Sequence, residues 1–319
     1  STSGMTVEID PRAEWAQILK DAWRRERDYF YDPNMHGVEW DKVYKHYEAM
    51  LADCTTRNDV GYLIREMISE LNIGHAYYRP AREENQGAQR AVGMLGADYE
   101  LDGGVYRITR IYGGGPWDID ARGPLGDPGL DVKVGDYLLR VNGIAPDPDK
   151  AVWAAFLGLA GRTVELTVSD KAEMDDDART VLVKAAGGEG GIRYRHWVET
   201  NRAYVEEKSG GKVGYIHVPD TGVRGQNELV RQYFGQVFKE ALIVDERWNG
   251  GGQIPTRFIE MLNRPITNYW SVAGDYTWPW PFDAHQGPKC MLINGAAGSG
   301  GDAFPRYFRQ AGLGKLIGR

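Results

Sequence analysis

The apolar run Cys-Met-Leu-Ile at 290–293 stops at Asn-Gly-Ala-Ala-Gly-Ser-Gly-Gly over 294–301 and restarts as Asp-Ala-Phe-Pro-Arg-Tyr-Phe-Arg. A short apolar run that breaks at small residues and resumes at helical spacing is a strand-to-helix turn. The same alternation precedes it: strand 213–218, helix 226–240, strand 241–244, helix 254–263, strand 290–293, helix 302–311. Strands separated by helices need crossover connections, so this third of the chain is constrained to a layered α/β domain with a largely parallel sheet. Ser299 stands at the apex of the turn, exposed and close to helix amides. The glycines at 298, 300 and 301 let the backbone turn sharply and let another backbone come near. Taken alone, the stretch is equally a Gly-rich loop with one serine in it.

A second stretch narrows the reading. Val-Asp-Glu-Arg-Trp-Asn-Gly-Gly-Gly-Gln at 244–253 follows the strand 241–244. Together with Ala-Gly-Ser-Gly-Gly-Asp at 297–302 it resembles the tail-specific, or C-terminal processing, serine protease family, and within it the tricorn branch. The resemblance covers most of the chain. It runs from Pro-Arg-Ala-Glu-Trp at 11–15, through Arg-Asp-Tyr-Phe-Tyr-Asp-Pro-Asn-Met-His-Gly at 27–37 and Gly-His-Ala-Tyr at 74–77, to the last residues. It implies a multidomain α+β protein: a helical subdomain at 5–90 contributing a catalytic histidine, a PDZ-like β-rich domain at 91–186, and a crotonase/ClpP-like α/β serine-protease domain at 187–319. The four residues before Met5 read as a tag remnant, and tricorn-like proteins carry β-propeller domains ahead of the region that begins here.

The length of 319 residues fits two or three domains with their own cores. A net charge of −7 argues against nucleic acid or an anionic membrane surface as the main partner. No stretch approaches the roughly 18 consecutive apolar residues of a membrane span, and no charged leader precedes an apolar run. Cys54 and Cys290 are too few for a disulfide framework and lack metal-ligand spacing, so the expectation is a cytoplasmic protein with reduced thiols and neither metal nor cofactor.

Residues 9–80 read as helical. Trp15, Ile18, Leu19 and Trp23 recur at helical spacing, then Trp40, Val43, Tyr44, Tyr47 and Leu51, then Leu63, Ile64, Met67, Ile68 and Leu71. The third helix is expected to end near 72–74, with Gly74 reversing the chain and His75 just beyond. The polar stretch 82–90 reads as a linker. From Gly93 short alternating strands with Gly and Pro turns take over. Gly-Asp-Tyr-Leu-Leu-Arg-Val-Asn-Gly at 135–143 resembles the PDZ family, and 149–159 fits that family's groove helix. A PDZ domain adds an extended peptide as a strand. Gly93, Leu95 and Gly96 then become candidates for holding a terminal carboxylate, although a plain β-turn explains 93–96 almost as well. The stretches 175–177 and 185–191 read as a solvated loop and a hinge, 194–208 as an amphipathic helix with Trp197, Val198, Tyr204 and Val205 on its apolar side, and 278–282 as an aromatic, Pro-rich loop.

Peptide hydrolysis by a serine route needs a nucleophile, a base and N–H donors for the oxyanion. Ser299 is the nucleophile candidate. Among the six histidines, His36 belongs to a helix-entry motif, His46, His196 and His217 sit in helix or strand patterns, and the resemblance singles out His75 as the base. It also implies an oxyanion hole made by the amide of Gly300 with one amide from 250–252, for which Gly251 is the choice, with Gly250 beside it on the substrate side. Two departures from the tricorn pattern stand out. Gly74 replaces an orienting serine, and a glutamate that would align some sixty residues past Ser299 lies beyond Arg319. Lys315 does not replace it. The expectation is that the chain as given is weakly active or inactive. The resemblance further implies a peptide or unfolded-polypeptide substrate and a homo-oligomer, with a hexamer as the assembly suggested. The competing reading is a peptide- or apolar-ligand-binding protein on the same fold.

Overall fold

The computed structural model describes all residues except 1–3, 7, 81–89, 115–120 and 275. The chain divides into two compact units, Ser1–Gln89 and Arg90–Arg319. The linker expected at 82–90 lies, apart from Arg90, outside the described residues.

The first unit is helical. Helix α1 (Pro11–Tyr29) starts where the Asp10 carboxylate accepts the amides of Arg12 and Ala13, with Pro11 in the first turn. Helix α2 (Trp40–Met50) follows, and α3 (Arg57–Ser69) begins with a capping box between Thr56 and Asp59. The three apolar stripes meet in one core of Trp15, Leu19, Trp40, Tyr47, Ile64, Met67 and Leu71. Trp23 and Trp40 each donate their indole N–H to the other's carbonyl, at 3.1 and 3.0 Å, which ties α1 to the start of α2. Beyond α3 the left-handed residues are Asn72 (φ 47°) and His75 (φ 66°). The reversal expected at Gly74 is therefore made by Asn72, a side chain that tolerates this conformation.

In the second unit, strands β1 (Ala97–Asp102), β2 (Val105–Ile111), β3 (Tyr137–Val141), β4 (Thr163–Ser169) and β5 (Arg179–Lys184) form an antiparallel sheet in that order. Their inward residues, among them Ile108, Leu138, Val164, Leu166 and Val168, close on Phe156 and Leu95 in a separate core. The helix expected at 149–159 is shorter: a 3-10 turn covers Val152–Phe156. Asp147 uses up the preceding residues by accepting the Asp149 and Lys150 amides, and Gly158 at φ 80° ends the turn.

Helix α4 (Gly190–Lys208) leads into strands β6 (Val213–His217), β7 (Ala241–Asp245), β10 (Lys289–Ile293) and β11 (Gly314–Gly318). These form a four-stranded sheet in the order β11-β10-β7-β6, and each pairing is parallel, as the alternation predicts. Ile216, Leu242, Val244 and Met291 face a core shared with α5 (Val223–Phe234), α6 (Pro255–Leu262) and α7 (Gly300–Gln310). α4 packs on β6 from the other side, where Asn201 donates to the Tyr215 hydroxyl. Three expectations change here. The buried residues of α4 are Val198 and Arg195, the latter held by both oxygens of Glu228 at 2.6 and 2.7 Å, while Tyr204 is exposed. α5 stops at Phe234 instead of 240, at Gly235. The aromatic loop at 278–282 is mostly strand: β9 (Tyr276–Trp280) pairs with β8 (Asn268–Val272) as an antiparallel hairpin, in which Pro279 is tolerated because a two-stranded ribbon consists of edges.

Phe304 of α7 is fully buried and meets Phe258 of α6 edge-on with ring centroids 5.5 Å apart. Phe304→Ala is expected to cost about 3–5 kcal/mol in urea unfolding, because the rigid sheet beneath cannot collapse into the cavity.

Candidate active site

β10 delivers the chain to the turn 294–299, and Ser299 caps α7 with φ 57° and ψ −119°. That is a backbone conformation a β-carbon disfavours, and such strain persists where the surroundings impose it. They impose it through glycines. A β-carbon on Gly300 would lie 2.2 Å from the Thr221 hydroxyl oxygen, one on Gly301 would lie 2.7 Å from the Asn249 carbonyl oxygen, and one on Gly251 would lie 2.8 Å from the Ser299 Cβ. The turn at 294–299 and the turn after β7 are thus pressed backbone to backbone, with Ser299 left exposed at the crest. This is the geometry of a nucleophile elbow, with the side chain pushed clear at a strand-to-helix junction.

Asn249 holds the second turn. It is fully buried, its Nδ2 donates to the Val218 carbonyl at 3.1 Å, and its Oδ1 accepts the Gly251 amide at 2.9 Å. Its carbonyl accepts the Gly298 amide, and Asn294 Oδ1 accepts the Trp248 amide, so each turn braces the other. The Gly250 amide is also taken, by the Pro219 carbonyl at 2.9 Å. The choice of Gly251 as oxyanion donor, with Gly250 beside it, is therefore corrected: both N–H groups are spent inside the protein. Among the described residues the amides of Gly252 and Gly300 have no acceptor, and the Gly252 nitrogen would lie 2.9 Å from a β-carbon on Gly300. Sequence reasoning missed Gly252 because three consecutive glycines are indistinguishable until the asparagine's acceptor is assigned.

The 93–96 stretch is corrected in the same way. The Gly93 amide donates to Phe156, that of Met94 to Ala186, and that of Gly96 to the buried Glu189 carboxylate at 2.7 Å, while the Leu95 side chain is core. Glu189 is in turn gripped by Arg193. The stretch acts as sheet backbone, and its amides at 93, 94 and 96 are not free for a terminal carboxylate.

His75 lies in the first unit, exposed, beside a cleft of about 660 Å3 lined by Arg25, Glu26, Tyr29, Ile73 and Tyr77. His217, by contrast, is buried in β6 between Tyr194 and the Arg247 carbonyl. Burial pushes it below the usual imidazole range, which marks it as structural.

One buried group was not foreseen. Glu246 follows β7 in phase with Leu242 and Val244, so its side chain enters the α5–α7 side of the sheet; it is fully buried and neither carboxyl oxygen has a partner. Burial, then Asp302 and Asp245, pushes its pKa up to about 8.

The geometry can be set beside known proteins. Three family models match in order along the chain: Tricorn protease C1 domain at 11–69, Tricorn protease PDZ domain at 93–187, and Peptidase family S41 at 212–319. The chain is 36% identical over 311 residues to Tricorn protease homolog 1 of Streptomyces coelicolor, covering 97% of itself and 29% of that protein. It is 32% identical to the Tricorn protease of Thermoplasma volcanium, covering 98% of itself and 30% of that relative. A crystal structure of the tricorn protease superposes with a TM-score of 0.90 at 30% identity, covering 99% of this chain and 30% of that one. The α/β fold and the serine turn lie in the part of the chain, 212–319, that the Peptidase family S41 model matches. With the C1 and PDZ matches, the similarity to tricorn proteases extends along nearly the whole of this chain. The chain spans about 30% of the length of these relatives.

Glu246 keeps a proton in the fold that the unfolded chain, with its carboxyl near 4.5, releases. Its folded pKa is the higher one, so its contribution to stability is full below pH about 4.5 and is lost as pH rises to about 8. Glu246→Gln is expected to flatten that part of the decline in melting temperature, measured by calorimetry between pH 5 and 9.

Proposed function

We propose that the chain is the peptidase portion of a tricorn-type serine endopeptidase, acting on peptides or unfolded polypeptides. The observation that carries this reading is an exposed serine in a strained strand-to-helix turn, with two unpartnered amides, Gly252 and Gly300, beside it. In this scheme the Ser299 Oγ attacks the scissile carbonyl while its proton passes to His75. The carbonyl π pair moves onto oxygen, where the Gly252 and Gly300 amides receive it. Collapse expels the amine, which takes the proton back from His75, and leaves an ester on Ser299. Water, deprotonated by the same imidazole, then releases the acid and restores the serine. The scheme assigns the base to His75 and the nucleophile to Ser299.

The same reading divides the chain into a helical subdomain at 5–90, a PDZ-like domain at 91–186 and the peptidase domain from 187. It places the protein in the cytoplasm, where the absence of a long apolar helix among the described residues is compatible with it. It adds a homo-oligomer, up to the hexamer the tricorn resemblance suggests. Exposed aromatics on the β8–β9 hairpin, Tyr269, Trp270, Tyr276 and Trp280, supply surface suited to contact.

A fluorophosphonate probe is expected to label Ser299, with labelling and peptide turnover both lost in Ser299→Ala and His75→Ala. Labelling that survives Ser299→Ala overturns the nucleophile assignment. Gly252→Ala places a β-carbon 2.3 Å from the Thr221 backbone and displaces the donor amide. Its expected effect is a loss of about 10²–10³ in kcat, the usual consequence of losing one oxyanion donor, read against KM in steady-state peptidase kinetics.

A further inference from the structure

A neutral imidazole can take a serine proton on Nε2 only when its own proton sits on Nδ1, so the group that accepts the Nδ1–H decides whether a histidine is a base. At residue 74 there is no side chain to do this. Among the described residues one group hydrogen-bonds to the His75 ring: the Tyr77 hydroxyl, 3.3 Å from Nδ1, with the two rings edge to face and their centroids 6.0 Å apart. The backbone explains how residues two apart meet. His75 is left-handed at φ 66°, a conformation histidine adopts more readily than most side chains, and Ala76 and Tyr78 pack on the helical core. That leaves 75 and 77 on the outer side. Tyr77 is 68% exposed, so burial does not account for an aromatic ring at this position.

We propose that Tyr77 is the positioning residue for His75: its oxygen accepts the Nδ1–H, fixes the tautomer, and leaves the Nε2 lone pair for the Ser299 proton. This rests on His75 being the base, as in the function proposed above. A tyrosine oxygen accepts without charge, so it orients the ring while stabilising the imidazolium less than a carboxylate does.

The test is nitrogen-15 NMR of the histidine rings in the whole chain, with His75 assigned by His75→Gln, combined with turnover by Tyr77→Phe. Removing an exposed hydroxyl leaves the fold intact. In the parent, Nδ1 is expected to carry the proton. In Tyr77→Phe the Nε2–H tautomer is expected to grow, and kcat to fall on the order of tenfold with KM unchanged, the scale of one hydrogen bond. A parent ring protonated on Nε2, or a tautomer and kcat indifferent to Tyr77→Phe, overturns the proposal. If the tautomer responds while His75→Ala leaves Ser299-dependent turnover intact, the contact stands but His75 is not the base, and the positioning role falls with it.

Discussion

The Asn249 side chain is the interaction on which the site depends. Buried between three strand ends, it donates to Val218 after β6 and accepts from Gly251 in its own turn, while the backbone carbonyl of the same residue accepts the Gly298 amide before the serine. A buried amide with good partners on both sides costs little to bury and is expensive to disrupt, because each lost partner leaves a polar atom unsatisfied in the interior. Its effect on chemistry is selective. By taking the Gly251 amide it leaves Gly252, of the three glycines at 250–252, as the one whose amide has no acceptor among the described residues.

The glycines serve the same end by absence of volume. At 251, 300 and 301 a single β-carbon would collide with the opposing turn. The close approach forces Ser299 into its left-handed conformation and sets the α7 amides next to it. Strain at the serine is therefore offset by packing in α7, whose Phe304 and Phe308 anchor the helix in the core.

Glu246 runs against this economy. An acidic side chain points where the strand alternation calls for an apolar one, and the like charges of Asp302, at the start of α7, and Asp245 add to the cost of ionising it. The solution available to a partnerless buried carboxyl is to stay protonated. The fold thus carries a pH-dependent weakness next to the turn that carries Ser299.

Much of this was legible in the sequence. Helical stripes at 15–71, turn-punctuated strands after 93, and strand–helix alternation after 213 each reflect local periodicity, which burial of one face imposes on any sequence. Ser299 was legible because glycines around one serine at a strand end have few other uses. The misreadings came where long-range partners decide. Whether 149–159 closes a helix depends on what Asp147 and Gly158 do at its ends. Whether 93–96 is a carboxylate loop depends on Glu189, 93 residues from Gly96. Which of Gly250, Gly251 and Gly252 keeps a free amide depends on Asn249 and Pro219. Sequence determines where a backbone amide lies along the chain, but its availability is settled by the acceptor that folding brings to it, and that acceptor is a property of the tertiary structure.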